Sequence, residues 1–313
     1  MKGSAFEENL LIKAAWYYYK NNLTQNEIAD ILELSRNKVV RLLEKARSDG
    51  IVQFNIKGSG MNCLSTECDF IKFFGLSNAY IIPTVNKDLP GSLAQAASQF
   101  LENRLEDGDM LGIGWGEAVS KTLQSMNNHI ADKVSIVTLT GGVNHYFQNQ
   151  HEMNPGLSKF GGRIHMVPAP FLASSQEMAD SLLSEPSVGS ILQLAGMCTH
   201  TLVGIGGLSA DATIVKEQKM TVSDMAYIKS QKGAGDILGQ FFDRDGHILH
   251  LPHHKQLIGI SLEKLKKADN VIGVAGGRNK TDAIYGALKG GYINTLITDE
   301  QTALTLMEKE AKE

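Results

Sequence analysis

Five times between residues 112 and 280, a run of apolar or small residues ends in a glycine-rich or small-residue turn: GIGWGE, TLTGGV, VPAPFLASS, GIGGLS and VAGGRNK. AYIIP, RIHMVP and INTLITD are further apolar runs of strand length. The stretches GSLAQAASQFLENRLE and EAVSKTLQSM between them carry helical periodicity. Strands that are apolar throughout and separated by helices form a largely parallel sheet covered on both faces. That pattern predicts a Rossmann-like α/β domain, with no internal repeat and no low-complexity segment.

In such a sheet, ligands bind in the crevice beyond the carboxyl ends of the strands. Glycines there let backbone N–H groups approach an anion, and the following helix adds its partial positive charge. Gly114 and Gly116, the Thr140-Gly141-Gly142 turn, and Gly276-Gly277 are the candidate loop positions. Five such turns favour a small-molecule pocket over simple economy of turning. None matches G-x-x-x-x-G-K-[ST], so a Walker-type nucleotide site is excluded. Lys280 falls in the first turn of the helix after Gly276-Gly277, where a lysine opposes the helix dipole and an anionic ligand would supply the missing charge. Glu117, which opens the helix after GIGWG, and Asp236 in KGAGDILGQFFD are the carboxylates able to hold hydroxyl groups.

HILHLPHH places His247, His250, His253 and His254 close together. Pro252 breaks any helix that would align them, and residues three apart on a strand face opposite ways. No metal is expected, and the histidines read as edge-strand residues after a DRDGHIL hairpin turn.

The first sixty residues follow a different rule. Thr24 and Glu27 have capping-box spacing, and Ile28, Ala29, Ile31 and Leu32 give that helix its buried side. Ser35 caps a second helix with an apolar face of Val39, Leu42, Leu43 and Ala46, and with Lys38, Arg41 and Lys45 on another face. Asp49-Gly50 ends it, IVQFNI alternates like a strand, and KGSGMN (57–62) reads as a linker. This is a helix-turn-helix with a short wing. Five basic residues stand against one acid between Ser35 and Arg47, a local stripe that outweighs the chain's net charge of −4 as a guide to partners. The candidate DNA contacts are Thr24, Gln25, Ser35, Arg36, Asn37, Lys38, Arg41 and Lys45. Glu33 occupies a turn position where glycine is common, which predicts a turn of another type. The aromatic run in AAWYYYK, on a helix over about residues 7–20, is expected in the core or an interface, not as a base-stacking platform.

Three cysteines, Cys63, Cys68 and Cys198, are too few and too irregular for a disulfide framework or a zinc site. No apolar run approaches the length of a membrane span. The expectation is a soluble cytoplasmic protein of two domains: residues 1–57 a winged helix-turn-helix, residues 58–313 an α/β ligand-binding and oligomerisation domain.

The combination of the helix-turn-helix with TLTGGV, VPAP..ASS, GAGDILG.FFD and GVAGG.NK..AI..ALKGGYIN.LITD resembles the SorC family of sugar-responsive bacterial transcription regulators. The likeness covers nearly the whole chain, is weakest from Asn144 to Arg163, and is greatest to family members that answer to phosphorylated autoinducer-2. It implies a domain akin to the sugar-phosphate isomerase and glucosamine-6-phosphate deaminase fold. It implies phosphate contacts at Gly276, Gly277, Asn279 and Lys280, with Thr140, Gly141 and Gly142 as a second loop beside them. Asp236, Leu238 and Glu117 would face the polyol or ring. It also implies a homo-oligomer, commonly a tetramer, that binds operator DNA and is released by a sugar phosphate, without a cofactor. Two alternatives stand beside that expectation. One is the same regulator sensing a pentitol, deoxyribose or triose phosphate. The other is a sugar-phosphate isomerase or deaminase using Asp236 and Glu117 as base and acid.

Overall fold

The computed structural model describes residues 2–48, 51–52, 61–85, 87–142, 147–149, 152–153 and 155–311. The chain divides into two compact units, Met1–Gly58 and Ser59–Glu313.

In the first unit, a helix Lys2–Ala15 runs into a π-helical turn Trp16–Lys20, followed by helices Gln25–Leu32 and Arg36–Ser48. Leu11, Ala14, Ile28, Ala29, Val39, Leu42, Leu43 and Ala46 form one buried cluster. The capping box is present: Thr24 N–H donates to Glu27 Oε2 at 2.7 Å and Glu27 N–H to Thr24 Oγ1 at 3.3 Å. Ile31 departs from its expected buried place and is 51% exposed, so the apolar stripe of this short helix is Ile28, Ala29 and half-buried Leu32. The turn also departs from expectation. Glu33 adopts the left-handed conformation, φ 54° and ψ 43°, instead of escaping into another turn type. Leu34 N–H reaches Ala29 O at 2.9 Å and Glu33 N–H reaches Asp30 O at 3.4 Å. These are the two bonds of a Schellman ending, which offset the strain of a side chain where glycine is preferred. Tyr17, Tyr18 and Tyr19 pack half-buried against the cluster, whereas Trp16 is 58% exposed. The wing strand expected over 51–56 lies almost wholly outside the described residues, as does 57–60 of the expected linker. Met61 and Asn62 belong instead to a helix, Met61–Phe74.

In the second unit, seven parallel strands form one sheet in the order Asn78–Ile82, Thr295–Asp299, Val271–Val274, His200–Gly204, Met110–Ile113, Ser135–Thr138, Ile164–His165. Every apolar run expected as a strand of the parallel sheet is there, although RIHMVP supplies only two residues. Apolar clusters pack on the sheet, with Phe70, Tyr285 and Leu296 in one and Phe100, Leu111 and Ile136 in the other. From Met110–Ile113 the chain moves outward through Ser135–Thr138, and from His200–Gly204 it moves outward the opposite way through Val271–Val274. These adjacent strands are therefore the topological switch point, where an open α/β sheet leaves a crevice. On the outer strand Asn78–Ile82, Ile81 N–H donates to Glu67 Oε1 at 2.7 Å.

A second, antiparallel sheet joins Gln240–Asp243, Gly233–Ile237 and Gly206–Gly207. Its hairpin turns at Leu238 (φ 55°) and Gly239 (φ 77°), both left-handed, as a two-residue I′ turn requires. The DRDGHIL turn is also real: Asp243 N–H donates to His247 O at 2.9 Å and His247 N–H to Asp243 Oδ1 at 2.8 Å.

Candidate functional site

The sequence positions a cavity of about 390 Å3 at the switch point, beyond the carboxyl ends of the strands. Trp115, Gly116 and Glu117 follow the 110–113 strand, Gly204 to Gly207 and Ser209 follow the 200–204 strand, and Gly276, Gly277, Asn279 and Lys280 follow the 271–274 strand. Asp236 and Leu238 enter from the small antiparallel sheet, and Leu89, Pro90 and Leu93 close one wall. Eight of the twelve proposed ligand residues, Gly116 and Glu117 among them, thus meet in one hollow, lined by residues more than a hundred positions apart in sequence.

Asp236 is buried, and Gly239 N–H donates to its Oδ2 at 3.0 Å. Burial raises its pKa to about 6, opposed by the Gly239 hydrogen bond and by Lys280. Lys280 is half-buried; burial lowers its pKa, while Asp236 and Glu117 hold it up. Its side-chain stem lies over Gly207, where an added Cβ would sit 3.8 Å from Lys280 Cγ. Glu117 stands at the rim, 2.9 Å from Lys121 Nζ, and that hydrogen bond, outweighing burial, keeps its carboxyl below the usual range. The site thus holds a desolvated cation beside a carboxylate able to take or give a proton at neutral to mildly acid pH, an arrangement suited to a phosphoryl group joined to hydroxyls.

Two helices that start at the cavity, Glu117–Ser125 and Thr281–Lys289, have no side-chain cap. Ahead of the second helix, the 3-10 turn Arg278–Lys280 uses Lys280 N–H on Gly277 O and Thr281 N–H on Arg278 O, so the amides there that can serve a ligand are those of Arg278 and Asn279. Gly277 is different. Its N–H donates into the protein, to Thr302 Oγ1 at 2.8 Å and Asp299 Oδ1 at 3.2 Å.

Thr140, Gly141 and Gly142 are not part of the lining. Gly141 N–H is held by Ile258 O at 2.8 Å and Gly142 N–H by Ala169 O at 2.9 Å. A Cβ on Gly141 would stand 2.2 Å from Pro170 O, so close backbone packing explains that glycine. Gly114 is likewise absent from the lining: its N–H goes to Leu202 O at 2.8 Å, and its missing Cβ makes room for Leu238 Cδ2. Sequence reading missed Trp115, which packs on Phe171 with ring centroids 4.5 Å apart, and also Lys216, Ser209 and Thr213. The signal for Trp115 was visible: an aromatic between two glycines at a strand's carboxyl end.

The histidines do not assemble. His253 and His254 are not edge-strand residues; Pro252 starts a 3-10 turn, Pro252–Gln256, that carries both half-buried against Phe241. His254 Nε2 accepts Phe241 N–H at 2.9 Å. Burial, with His253 adding to it, lowers the His254 pKa to about 4. His247 sits with Asp243 and Asp245 on the exposed hairpin turn, and His250 is exposed.

In the first unit, Ser35 Oγ accepts Lys38 N–H at 3.3 Å. Arg36, Asn37, Lys38, Arg41 and Lys45 are exposed along helix Arg36–Ser48. A surface hollow brings Thr24 and Gln25 of one helix start together with Arg36 of the next, beside Tyr18 and Tyr19. Exposed cations along the second helix of a tightly turned pair suit a DNA groove and its phosphates.

A helix-turn-helix unit and an α/β unit with a pocket for an anionic polyol, in one chain, define a ligand-responsive transcriptional regulator. Residues 60–308 match the family described as "Putative sugar-binding domain". Over 306 residues the chain is 38% identical to the transcriptional regulator LsrR of Escherichia coli (strain K12), covering 96% of this chain and 95% of that one. It is 36% identical to LsrR of Enterobacter sp. (strain 638), covering 96% and 93%. The solved full-length sorbitol operon regulator SorC from Klebsiella pneumoniae superposes with a TM-score of 0.70 at 25% identity, covering 96% of this chain and 98% of that chain. The chain belongs to the SorC family of sugar-sensing, DNA-binding transcriptional regulators, and within it is LsrR-like.

Proposed function

We propose that the protein represses an operon for sugar or autoinducer-2 uptake and processing, and leaves its operator when a phosphorylated carbohydrate, foremost phosphorylated autoinducer-2, fills the pocket. The observation that carries this reading is Lys280, a half-buried cation at an uncapped helix start beside the buried Asp236. A phosphoryl group supplies the charge that such a lysine lacks, while Asp236 and Glu117 take the hydroxyls and Trp115 offers its face to the carbon skeleton. The protein acts as a homo-oligomer, a tetramer by the pattern of its family, in the cytoplasm. Among the described residues no helix is long and apolar enough to cross a membrane. Effector and operator are coupled reciprocally, so DNA weakens effector binding by the factor by which effector weakens DNA binding.

A gel shift with phosphorylated autoinducer-2 is the test. Release of the operator is expected; full occupancy at saturating effector removes that assignment, and a panel of pentitol, deoxyribose and triose phosphates then names the alternative. The Asp236 pKa of about 6 favours a second reading, proton abstraction from a bound sugar phosphate. Incubation with candidate sugar phosphates is expected to return them unchanged; turnover would establish an enzyme.

A further inference from the structure

The Gly276-Gly277 turn is held from behind by a residue outside the lining of the cavity. Asp299 ends the strand Thr295–Asp299, is 2% exposed, and caps the helix Glu300–Glu310 by accepting Thr302 N–H at Oδ2, 3.2 Å away. Its Oδ1 accepts the Thr302 hydroxyl at 2.5 Å and Gly277 N–H at 3.2 Å; Thr302 Oγ1 takes the same N–H at 2.8 Å. A Cβ on Gly276 would fall 2.5 Å from Asp299 Oδ1, so Gly276 is glycine because Asp299 is there. Asp299 is also tied to Thr84. Thr84 Oγ1 donates to its Oδ2 at 3.4 Å and accepts Gln301 N–H at 2.9 Å. Thr84 leads toward Leu89 and Leu93, whose side chains flank Gly277 and Gly276.

We propose that Asp299 and Thr302 are the positioning residues of the effector site: they clamp Gly277 so that the Arg278 and Asn279 amides and the Lys280 ammonium are aimed at the phosphoryl group before it binds. The inference rests on the proposed function and deepens it. A glycine with φ 95° and ψ 149° has many other conformations open to it. A turn fixed in advance spares the ligand the entropy of ordering it. Without the clamp, the ordering is charged to the phosphoryl contacts and to no other part of the ligand.

Thr302→Val removes the hydroxyl and keeps the shape; Thr302→Ser restores it. Calorimetric titration of the full-length protein with phosphorylated autoinducer-2 and with its unphosphorylated parent, alongside operator binding without effector as a check of folding, reads the effect. The Val variant is expected to bind the phosphorylated compound about tenfold more weakly, the consequence of leaving Gly277 N–H with only its longer bond to Asp299, with the unphosphorylated compound unchanged. The Ser variant is expected to recover the wild-type ratio. Asp299→Asn, which retains one acceptor oxygen, provides an independent loss in the same direction should Thr302→Val not fold. Wild-type preference for the phosphorylated compound in both loss variants, or equal losses for the two ligands, overturns the inference. A wild-type protein that binds no phosphorylated carbohydrate overturns the proposed function, and the inference with it.

Discussion

Gly239 donates its backbone N–H to Asp236 at 3.0 Å, across a two-residue turn in which Leu238 and Gly239 are both left-handed. That bond and Lys280 favour the carboxylate, yet burial prevails and the pKa rises from 3.8 to about 6. Between those values the folded protein holds a proton that the unfolded chain has lost. Raising the pH through this window therefore costs stability, up to about 3 kcal/mol above pH 6. Asp236→Asn is expected to match the wild type near pH 4 and to exceed it progressively up to pH 6 in urea melts, while binding effector more weakly. A difference that shrinks with rising pH contradicts this reading of the site.

His254 contributes the opposite slope. Its pKa, lowered to about 4 by burial, makes stability present above 6.5 and lost as the pH falls toward 4. In the wild type the two groups offset each other over the same window. The Asp236→Asn variant, freed of one of them, is expected to show stability climbing from pH 4 to 6.5.

Lys280→Met is expected to weaken phosphorylated effector by roughly a hundredfold, the loss of a charge-assisted contact in a desolvated site. Operator affinity without effector should be unchanged, since Lys280 lies in the α/β unit. Gel shifts would then show an operator occupied at all effector concentrations. Normal release would place the phosphoryl group elsewhere.

Lys38→Ala and Arg41→Ala are each expected to weaken operator binding. If each neutralises one phosphate, the slope of log affinity against log salt becomes shallower by about one unit per substitution. An unchanged slope with lost affinity would instead mark the residue as a base reader.

Glu33→Gly should stabilise the helix-turn-helix unit by about 1 kcal/mol, because glycine adopts φ near 54° without steric cost. Slower amide exchange at Ile28 and Ala29 is the measurement.

The parallel sheet was legible because its strands are apolar on both faces, and the pocket because ligands gather where such strands end. What glycine does in each turn was not legible. Gly141 and Gly114 have the same surroundings in sequence as Gly276, yet they serve contact with Pro170 and Leu238. A missing Cβ looks alike whether ligand or protein fills the space. The helix Met61–Phe74 was passed over because Cys63 and Thr66 take buried positions beside Phe70, which blurs its apolar period. The Gly206–Gly207 strand and the hairpin carrying Asp236 were seen as a site but not as a sheet, since their pairing joins residues about thirty apart. His253 and His254 looked like strand residues because only the fold shows Phe241 waiting to cover them.

The outer strand Asn78–Ile82 pairs with another strand on one side only, and its open side is where a further extended chain can add. Glu67 occupies Ile81 N–H there, setting a carboxylate where an incoming strand would place its own carbonyl. A misfolded or nascent copy docking at that edge must displace a hydrogen-bonded acid. That guard is a single residue of the helix Met61–Phe74, standing at one of the sheet's two edges.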